Sequence, residues 1–399
     1  MLNNRSLSLV LLSVILGLAL VACQGPMAVL SPPTPTATPT PPPTITPTPT
    51  ITPTATPSPT PTPTWQMTWS GTAPPPGRMF HSGYLSPDGN FFLLVSQPVT
   101  PDPGLSVDAA DPILHLYQVG VEHPVWEVRP QTKSRVAFIR NVFWLPNGDI
   151  LVDGIAFDYA MVAILDARNG SLKWEKRLNY YSMPSITHAA FDAKRQRLLL
   201  RGYDKTYIEA YSWPQLQPVE RYQSAETRNG CCIVDYLVNS PNGVLAMGWE
   251  AYGMRYHLIF WEGESTGRSV RLPYSLEDTS FLDLAWGPPD QVGFILVPAT
   301  AQSSDVYTIH IVNARTGSVL WSITEEELDF GVLEWLPERG WMISTLWGGI
   351  RLYTGPQEYE VLRPESRDAP EAYLAGLSAV SPNRFLAIFD SWVEVWDWR

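Results

Sequence analysis

Cysteine is nearly absent from this chain: three in 399 residues, two of them adjacent. So few thiols exclude a disulfide framework as the support of the fold. Lys and Arg are also scarce, 27 against 39 Asp and Glu, giving a formal net charge of −12. No basic cluster exists to neutralise phosphates, which argues against a nucleic-acid partner. Beyond the first 23 residues no segment carries a 3.6-residue apolar period, so helices are not expected. H-E-x-x-H, P-loop and G-x-G-x-x-G motifs are all missing. Gly263-Glu264-Ser265-Thr266-Gly267 matches G-x-S-x-G. That nucleophile elbow needs a strand before it and a helix after it. Here YHLIFW and RSVRL flank it and both read as strands, so we read it as a hairpin turn. What is plentiful is aromatic: 16 Trp, 17 Tyr and 13 Phe, a composition that favours strands. The length allows two ordinary domains or one large all-β domain.

The first 23 residues read as a signal peptide. Arg5 gives a positive start, and Leu9 to Ala22 is an apolar run too short for a confident membrane span. The run ends in Leu20-Val21-Ala22-Cys23, which resembles the bacterial lipobox. The resemblance implies a lipidated Cys23 at the mature N-terminus, hence a membrane anchor with the rest of the chain facing outside the cytoplasm; more than one acyl chain gives stable anchoring. The alternative is an ordinary secretory signal in which Cys23 is incidental. Residues 24–64 read as a disordered stalk: positions 31–64 hold 14 Pro and 14 Thr and no charge. Such a segment favours extended polyproline II and spans roughly 100 Å at about 3.1 Å per residue.

From Trp65 to the end the chain repeats. Apolar runs precede turns whose second residues are Pro87, Pro146, Ala193, Pro241, Pro288, Pro337 and Pro382. The spacing is near 47 residues, apart from a first interval lengthened by the insertion Gln97 to Pro112. That period fits four-stranded propeller blades. Unit two shows the grammar: VFWL, a turn, DILVDGIAF, MVAILDA, the tight turn Asn169-Gly170, then SLKWEKRL. LDARNGSLKW (165–174) returns as VNARTGSVLW (312–321), the same hairpin three units later.

Both hairpins resemble the PQQ-like propeller repeat, with Ala167, Gly170 and Trp174 matched by Ala314, Gly317 and Trp321. Ser86-Pro87-Asp88-Gly89 and its relatives resemble WD40-type turns equally well. The resemblance implies, over residues 65–399, an all-β fold: a seven-bladed β-propeller of four-stranded antiparallel blades. Its Trp residues are expected to fill gaps between blades rather than to hold a cofactor. The last unit ends in WVEVWDW (392–398) one strand short, so residues near 65–70 are expected to complete it, sealing the ring by pairing the N- and C-terminal strands.

Candidate sites are few. His81, Arg140, His188, Asp235 and Asp283 lie five or six positions before the second turn residue, on the innermost strands, and are candidates for a polar, ligand-binding ring mouth. The competing reading is a solvated channel whose residues pair with one another. Cys231-Cys232 could be a strained vicinal disulfide or two buried thiols. Adjacent bonded cysteines also resemble a feature of some quinoprotein dehydrogenases, which implies a cofactor role. Asp102, Asp108 and Asp111 in the insertion fit no EF-hand spacing, and no metal or cofactor is expected. The favoured function is a lipid-anchored binding scaffold for an envelope or extracellular protein or glycan. The alternative is a quinoprotein-like oxidoreductase or other propeller enzyme, a hydrolase or lyase, with its site at the channel mouth.

Overall fold

A computed structural model describes residues 64–99, 111–130, 136–156, 159–178, 189–201, 207–224, 233–240, 243–249, 255–261, 266–275, 277–288, 290–298, 307–325, 332–345, 348–365 and 373–399. For 136–137, 140, 156, 223–224, 233–240, 243–249, 261, 266–267, 280–282 and 325 it describes the backbone alone. The expected signal peptide, Cys23 and all of the stalk but Thr64 lie outside the described residues, as do Asp102, Asp108, His188, Cys231, Cys232 and Ser265.

All regular structure among these residues is strand. β1 is Trp65–Gly71. The first unit runs β2 (Arg78–Leu85), β3 (Phe91–Pro98), β4 (Ile113–Gln118) and β5 (Trp126–Val128). The second is β6 (Val136–Trp144), β7 (Ile150–Ala156), β8 (Ala160–Leu165) and β9 (Leu172–Leu178). The third is β10 (Ala189–Asp192), β11 (Arg197–Arg201), β12 (Ile208–Ser212) and β13 (Pro218–Ser224). The fourth is β14 (Ile233–Ser240), β15 (Gly243–Trp249), β16 (Arg255–Trp261) and β17 (Thr266–Ser275). The fifth is β18 (Thr279–Trp286), β19 (Gln291–Pro298), β20 (Tyr307–Asn313) and β21 (Val319–Glu325). The sixth is β22 (Leu333–Leu336), β23 (Gly340–Thr345), β24 (Gly349–Tyr353) and β25 (Tyr359–Arg363). The last is β26 (Leu374–Ser381), β27 (Arg384–Phe389) and β28 (Val393–Trp398).

Hydrogen bonds gather these strands into six sheets, not the seven expected from the repeat. Five have four strands and one has eight, in the order β10-β11-β12-β13-β17-β16-β15-β14. The reason is local. Gln223 and Ser224 run past the last β12 partner, at Tyr222, and Thr266 and Gly267 run past the last β16 partner, at Arg268. Each overhang would leave backbone groups unpaired at a sheet edge. They satisfy one another in parallel, Gln223 opposite Thr266 and Ser224 opposite Gly267, which fuses the third and fourth units.

Closure follows the expectation. β1 joins β28 antiparallel, from Trp65 opposite Trp398 to Gly71 opposite Val393. The amide of Thr64 donates to the Arg399 carbonyl at 2.7 Å, and the Arg399 amide returns the bond at 3.1 Å.

β3, β8, β19 and β27 read as nearly continuous apolar runs because both of their faces are covered. In β3, Leu93 and Val95 pack toward the second unit, and Phe92 and Leu94 toward the last. In β7, Ile150 and Val152 face the first unit and Leu151 the third. Each such leucine or valine, fully buried, is worth about 1.5–3 kcal/mol. The repeated hairpins dock between units. Gly170 and Gly317 hold φ of +70° and +73°. A Cβ on them would stand 2.9 Å from Val128 and 2.4 Å from Val270, both on the preceding unit's outer strand. The Trp126 indole donates to the Ala167 carbonyl at 2.7 Å and fixes the first of these contacts. Trp174 then reaches forward to Tyr211, and Trp321 packs into the core between the fifth and sixth units.

Candidate functional site

The innermost strands of neighbouring units lie side by side: β2 against β6 and β26, β10 against β14, β14 against β18, and β18 and β26 against β22. Their sequences put polar residues where the ring is narrowest, and the backbone repeats one irregularity there. A bulge falls at residue 81 in β2, 140 in β6, 235 in β14, 282 in β18 and 375 in β26. A bulge leaves one residue out of the ladder and re-aims the strand. His81, Arg140 and Asp235 therefore occupy equivalent bulge positions, while Asp283 follows its bulge and pairs with Ile295. The side chains of Arg140 and Asp235 lie outside the described set. The His81 ring lies 5.2 Å from Phe138, edge on, and burial holds its pKa below the usual imidazole value. Asp111, from the insertion, is ion-paired with Arg129 at 3.1 Å.

A second pattern appears only in three dimensions. Inner strands of different units have no ladder between them, so their N–H groups need other acceptors. Side chains of the adjacent unit supply them. Asp283 Oδ2 accepts from the Leu333 amide at 3.1 Å while its Oδ1 accepts from Leu284 at 2.8 Å. Glu334 accepts from the Ala379 amide. Ser378 Oγ accepts from Leu85 at 3.0 Å. The Tyr84 hydroxyl accepts from Val142. Asp153 Oδ2 accepts from Ala189 at 3.2 Å. Five seams are stitched this way among the described residues.

Three of these groups act on one another electrostatically from different units. The charge of Asp283, in the fifth unit, acts on Glu334 in the sixth and on Tyr84 in the first. Asp283 and Glu334 keep some accessible area, yet protein surrounds them closely. The second property governs their titration, because close-packed protein screens a charge far less than bulk solvent does. Burial raises Asp283 to about 6 against two opposing amide hydrogen bonds. Burial and then the Asp283 charge raise Glu334 to about 8. Tyr84 is raised to about 12, first by burial. The candidate site is thus a ring interior that holds two carboxyls, Asp283 and Glu334, and a phenol, Tyr84, each with its pKa pushed up first by burial. The sequence rule found Asp283 but missed Glu334 and Tyr84, which lie three positions before their second turn residues rather than five or six. A lone Glu inside the run VLEWL was the available signal.

One further polar group has hydrolase-like distances. Ser96 Oγ lies 2.8 Å from His115 Nε2, and His115 Nδ1 lies 3.0 Å from Glu127 Oε1. Ser96 and His115 have no exposed surface, however, and Arg78 Nε donates to the same Ser96 oxygen at 3.0 Å. No substrate reaches that oxygen, and the relay ties β3, β4 and β5 together. His310 with Ser322 and His257 with Ser269 repeat the cross-strand pairing at the same 12-residue separation. Among the described residues no group of three or more His, Cys, Asp or Glu could hold a metal ion.

A closed ring of small antiparallel sheets with polar inner strands defines a β-propeller. Solved structures share this fold. The β-propeller domain of Cps50 (Swd1) from Myceliophteria thermophila matches with a TM-score of 0.52 at 11% identity, over 84% of this chain and 99% of that one. Hydrazine synthase from Kuenenia stuttgartiensis matches at 0.51 and 10% identity, over 78% and 92%. BamB from Moraxella catarrhalis aligns at 0.46 and 14% identity, over 80% and 83%. No family model matches the sequence, and no curated protein does.

Proposed function

We propose that this chain is a lipid-anchored β-propeller facing outside the cytoplasm, held off the membrane by its Pro/Thr stalk, that binds a protein partner. The observation that carries the binding role is on the outer strands. Tyr359 and Val361 on β25 are 51% and 52% exposed, and Leu320 on β21 is 46% exposed. Among the described residues these strands pair on one side only, and large apolar side chains at a sheet edge suit contact with another chain. The β-propeller fold, shared with the Cps50 domain, supports a scaffold of this kind. The lipobox resemblance at Cys23 supports the anchor.

The test is partner capture from intact envelope with the full chain as bait, followed by the same capture with Tyr359→Lys and Val361→Lys together. A partner retained by the wild type and lost by the double variant is expected. Capture unaffected by the two lysines would remove β25 from the contact.

A further inference from the structure

β25 is the outer edge of the sixth unit's sheet, and among the described residues it pairs with β24 alone. We propose that β25 takes an extended segment of another protein, alternating basic and apolar residues, as a fifth strand of that sheet. This mode of docking rests on the reading of the outer strands as the binding face, and it fixes how the partner is held.

The register shows which backbone groups turn outward. The Thr354 amide donates to the Glu358 carbonyl at 3.0 Å, and Tyr353, Leu352 and Arg351 then stand opposite Tyr359, Glu360 and Val361. Hydrogen-bonded and non-hydrogen-bonded pairs alternate along an antiparallel ladder. Thr354–Glu358 and Leu352–Glu360 are of the first kind, so Tyr359 and Val361 direct their N–H and C=O groups away from β24. The same two residues carry the exposed apolar side chains, on one face because they are two positions apart. The Tyr359 ring is held in place, with the Arg351 guanidinium 5.0 Å from its centre and the Tyr353 ring 5.2 Å away. Outward main-chain groups and anchoring side chains on alternate residues are what strand addition uses.

Other outer strands are guarded against such pairing. β5 is three residues long, β9 carries Lys173, Lys176 and Arg177, and β13 and β17 close on each other. Short edges, lysines and covered edges all discourage edge-to-edge contact. β25 has five residues, no Lys and no Pro.

Charge sets the partner's chemistry. Glu360 lies on the face opposite Tyr359 and Val361, with Glu358 two positions before it. Both are exposed, and among the described residues no cation pairs with either. The one cation of the strand, Arg363, is held by the two carboxylate oxygens of Glu394 at 2.9 and 3.2 Å. The occupant is therefore basic on one face and apolar on the other. A second copy of this chain would bring the same acidic strand and a further charge of −12, which repels.

The experiment adds a capped peptide of about ten alternating Lys and Val residues to the full chain and follows amide hydrogen exchange. Protection at Tyr359 and Val361 is expected to rise about tenfold once the peptide is in about tenfold excess over its dissociation constant. Glu360, already bonded to β24, is expected not to change. A twin peptide methylated on alternate backbone nitrogens keeps the side chains, loses the donors and is expected to protect neither amide. A Glu–Val peptide is expected to bind about tenfold more weakly, because two cross-strand charge pairs become repulsive. No change at the two amides up to about 10 mM Lys–Val peptide overturns strand addition, and so does equal protection by the methylated twin. Equal binding of the Glu–Val peptide overturns the basic partner. Protection present without peptide and lost on dilution overturns it in favour of a second copy. Val361→Pro removes an outward N–H and leaves the β24 ladder intact. An envelope partner released by the two lysines but kept by Val361→Pro refutes strand addition and leaves the binding role standing; capture indifferent to all three substitutions refutes the binding role at β25 itself.

Discussion

Trp65 is the side chain on which ring closure should turn. It is 9% exposed, on the strand that completes the last sheet. Its ring lies 5.1 Å from Phe385 and 5.5 Å from Trp398, with the Arg339 guanidinium 5.5 Å away. It belongs to the core shared by the sixth and last units. Burying a tryptophan removes about 200 Å² from water. At about 25 cal/mol per Å² that is about 5 kcal/mol, reduced to about 3–4 once the compactness of the unfolded chain is allowed for. Two aromatic contacts add about 1–2 kcal/mol, and the buried indole N–H, which finds no acceptor among the described residues, takes back about 1 kcal/mol. Trp65→Ala is therefore expected to cost about 3–5 kcal/mol, the usual range for such truncations. That is a large share of the about 5–15 kcal/mol that separates folded from unfolded domains. Urea unfolding followed by circular dichroism measures it. Met67, on the same strand but 50% exposed, provides the control, and Met67→Ala is expected within about 0.5 kcal/mol of wild type. A Trp65→Ala loss below about 1 kcal/mol with an unchanged denaturant slope would mean that β1 is not a cooperative part of the ring.

Three further outcomes are expected. Gly317→Ala should cost clearly more than Gly148→Ala: both glycines have positive φ, but a Cβ at 148 meets nothing within 4 Å while one at 317 meets Val270 at 2.4 Å. Backbone strain alone accounts for about 1–2 kcal/mol, so equal losses would refute the docking of this hairpin on β17. Asp397→Asn should lower stability at neutral pH by about 1–3 kcal/mol, because Asp397 accepts from Arg384 at 2.6 and 3.0 Å and from Thr68 at 3.0 Å. Burial pushes the Asp397 carboxyl up, yet these partners outweigh it and hold it below 3.8, so the gap to wild type should close as pH falls below that value; a gap constant in acid contradicts the assignment. Cys23→Ser should move the chain from the membrane fraction to the soluble one, and a variant that still sediments with membrane would exclude lipidation as its anchor.

Much of the architecture was legible because it is periodic. The Pro-centred turns near every 47 residues, the apolar runs between them and the unfinished last unit are one-dimensional signals with direct physical causes. Strands covered on both faces read as unbroken apolar runs, and the Gly170 and Gly317 turns need positive φ that the sequence advertises. The count of sheets was not legible. It depends on Gln223–Ser224 and Thr266–Gly267 overhanging their own partners by two residues each, a matter of strand length and approach that no turn motif encodes.

The site divides the same way. Spacing from the turn put His81, Arg140 and Asp235 at one register as binding candidates; that all three fall at a bulge was visible only in the structure. It missed Glu334 and Tyr84, since what marks them is burial and the charge of Asp283 on another unit, neither of which a local motif carries. By itself the sequence determined an all-strand ring built from repeats, closed by its own ends, because local hydrophobic pattern and turn chemistry set those features. Which sheets merge, which amides find acceptors across the seams and which carboxyls hold protons were decided only by tertiary structure, because these depend on distances between units and on burial.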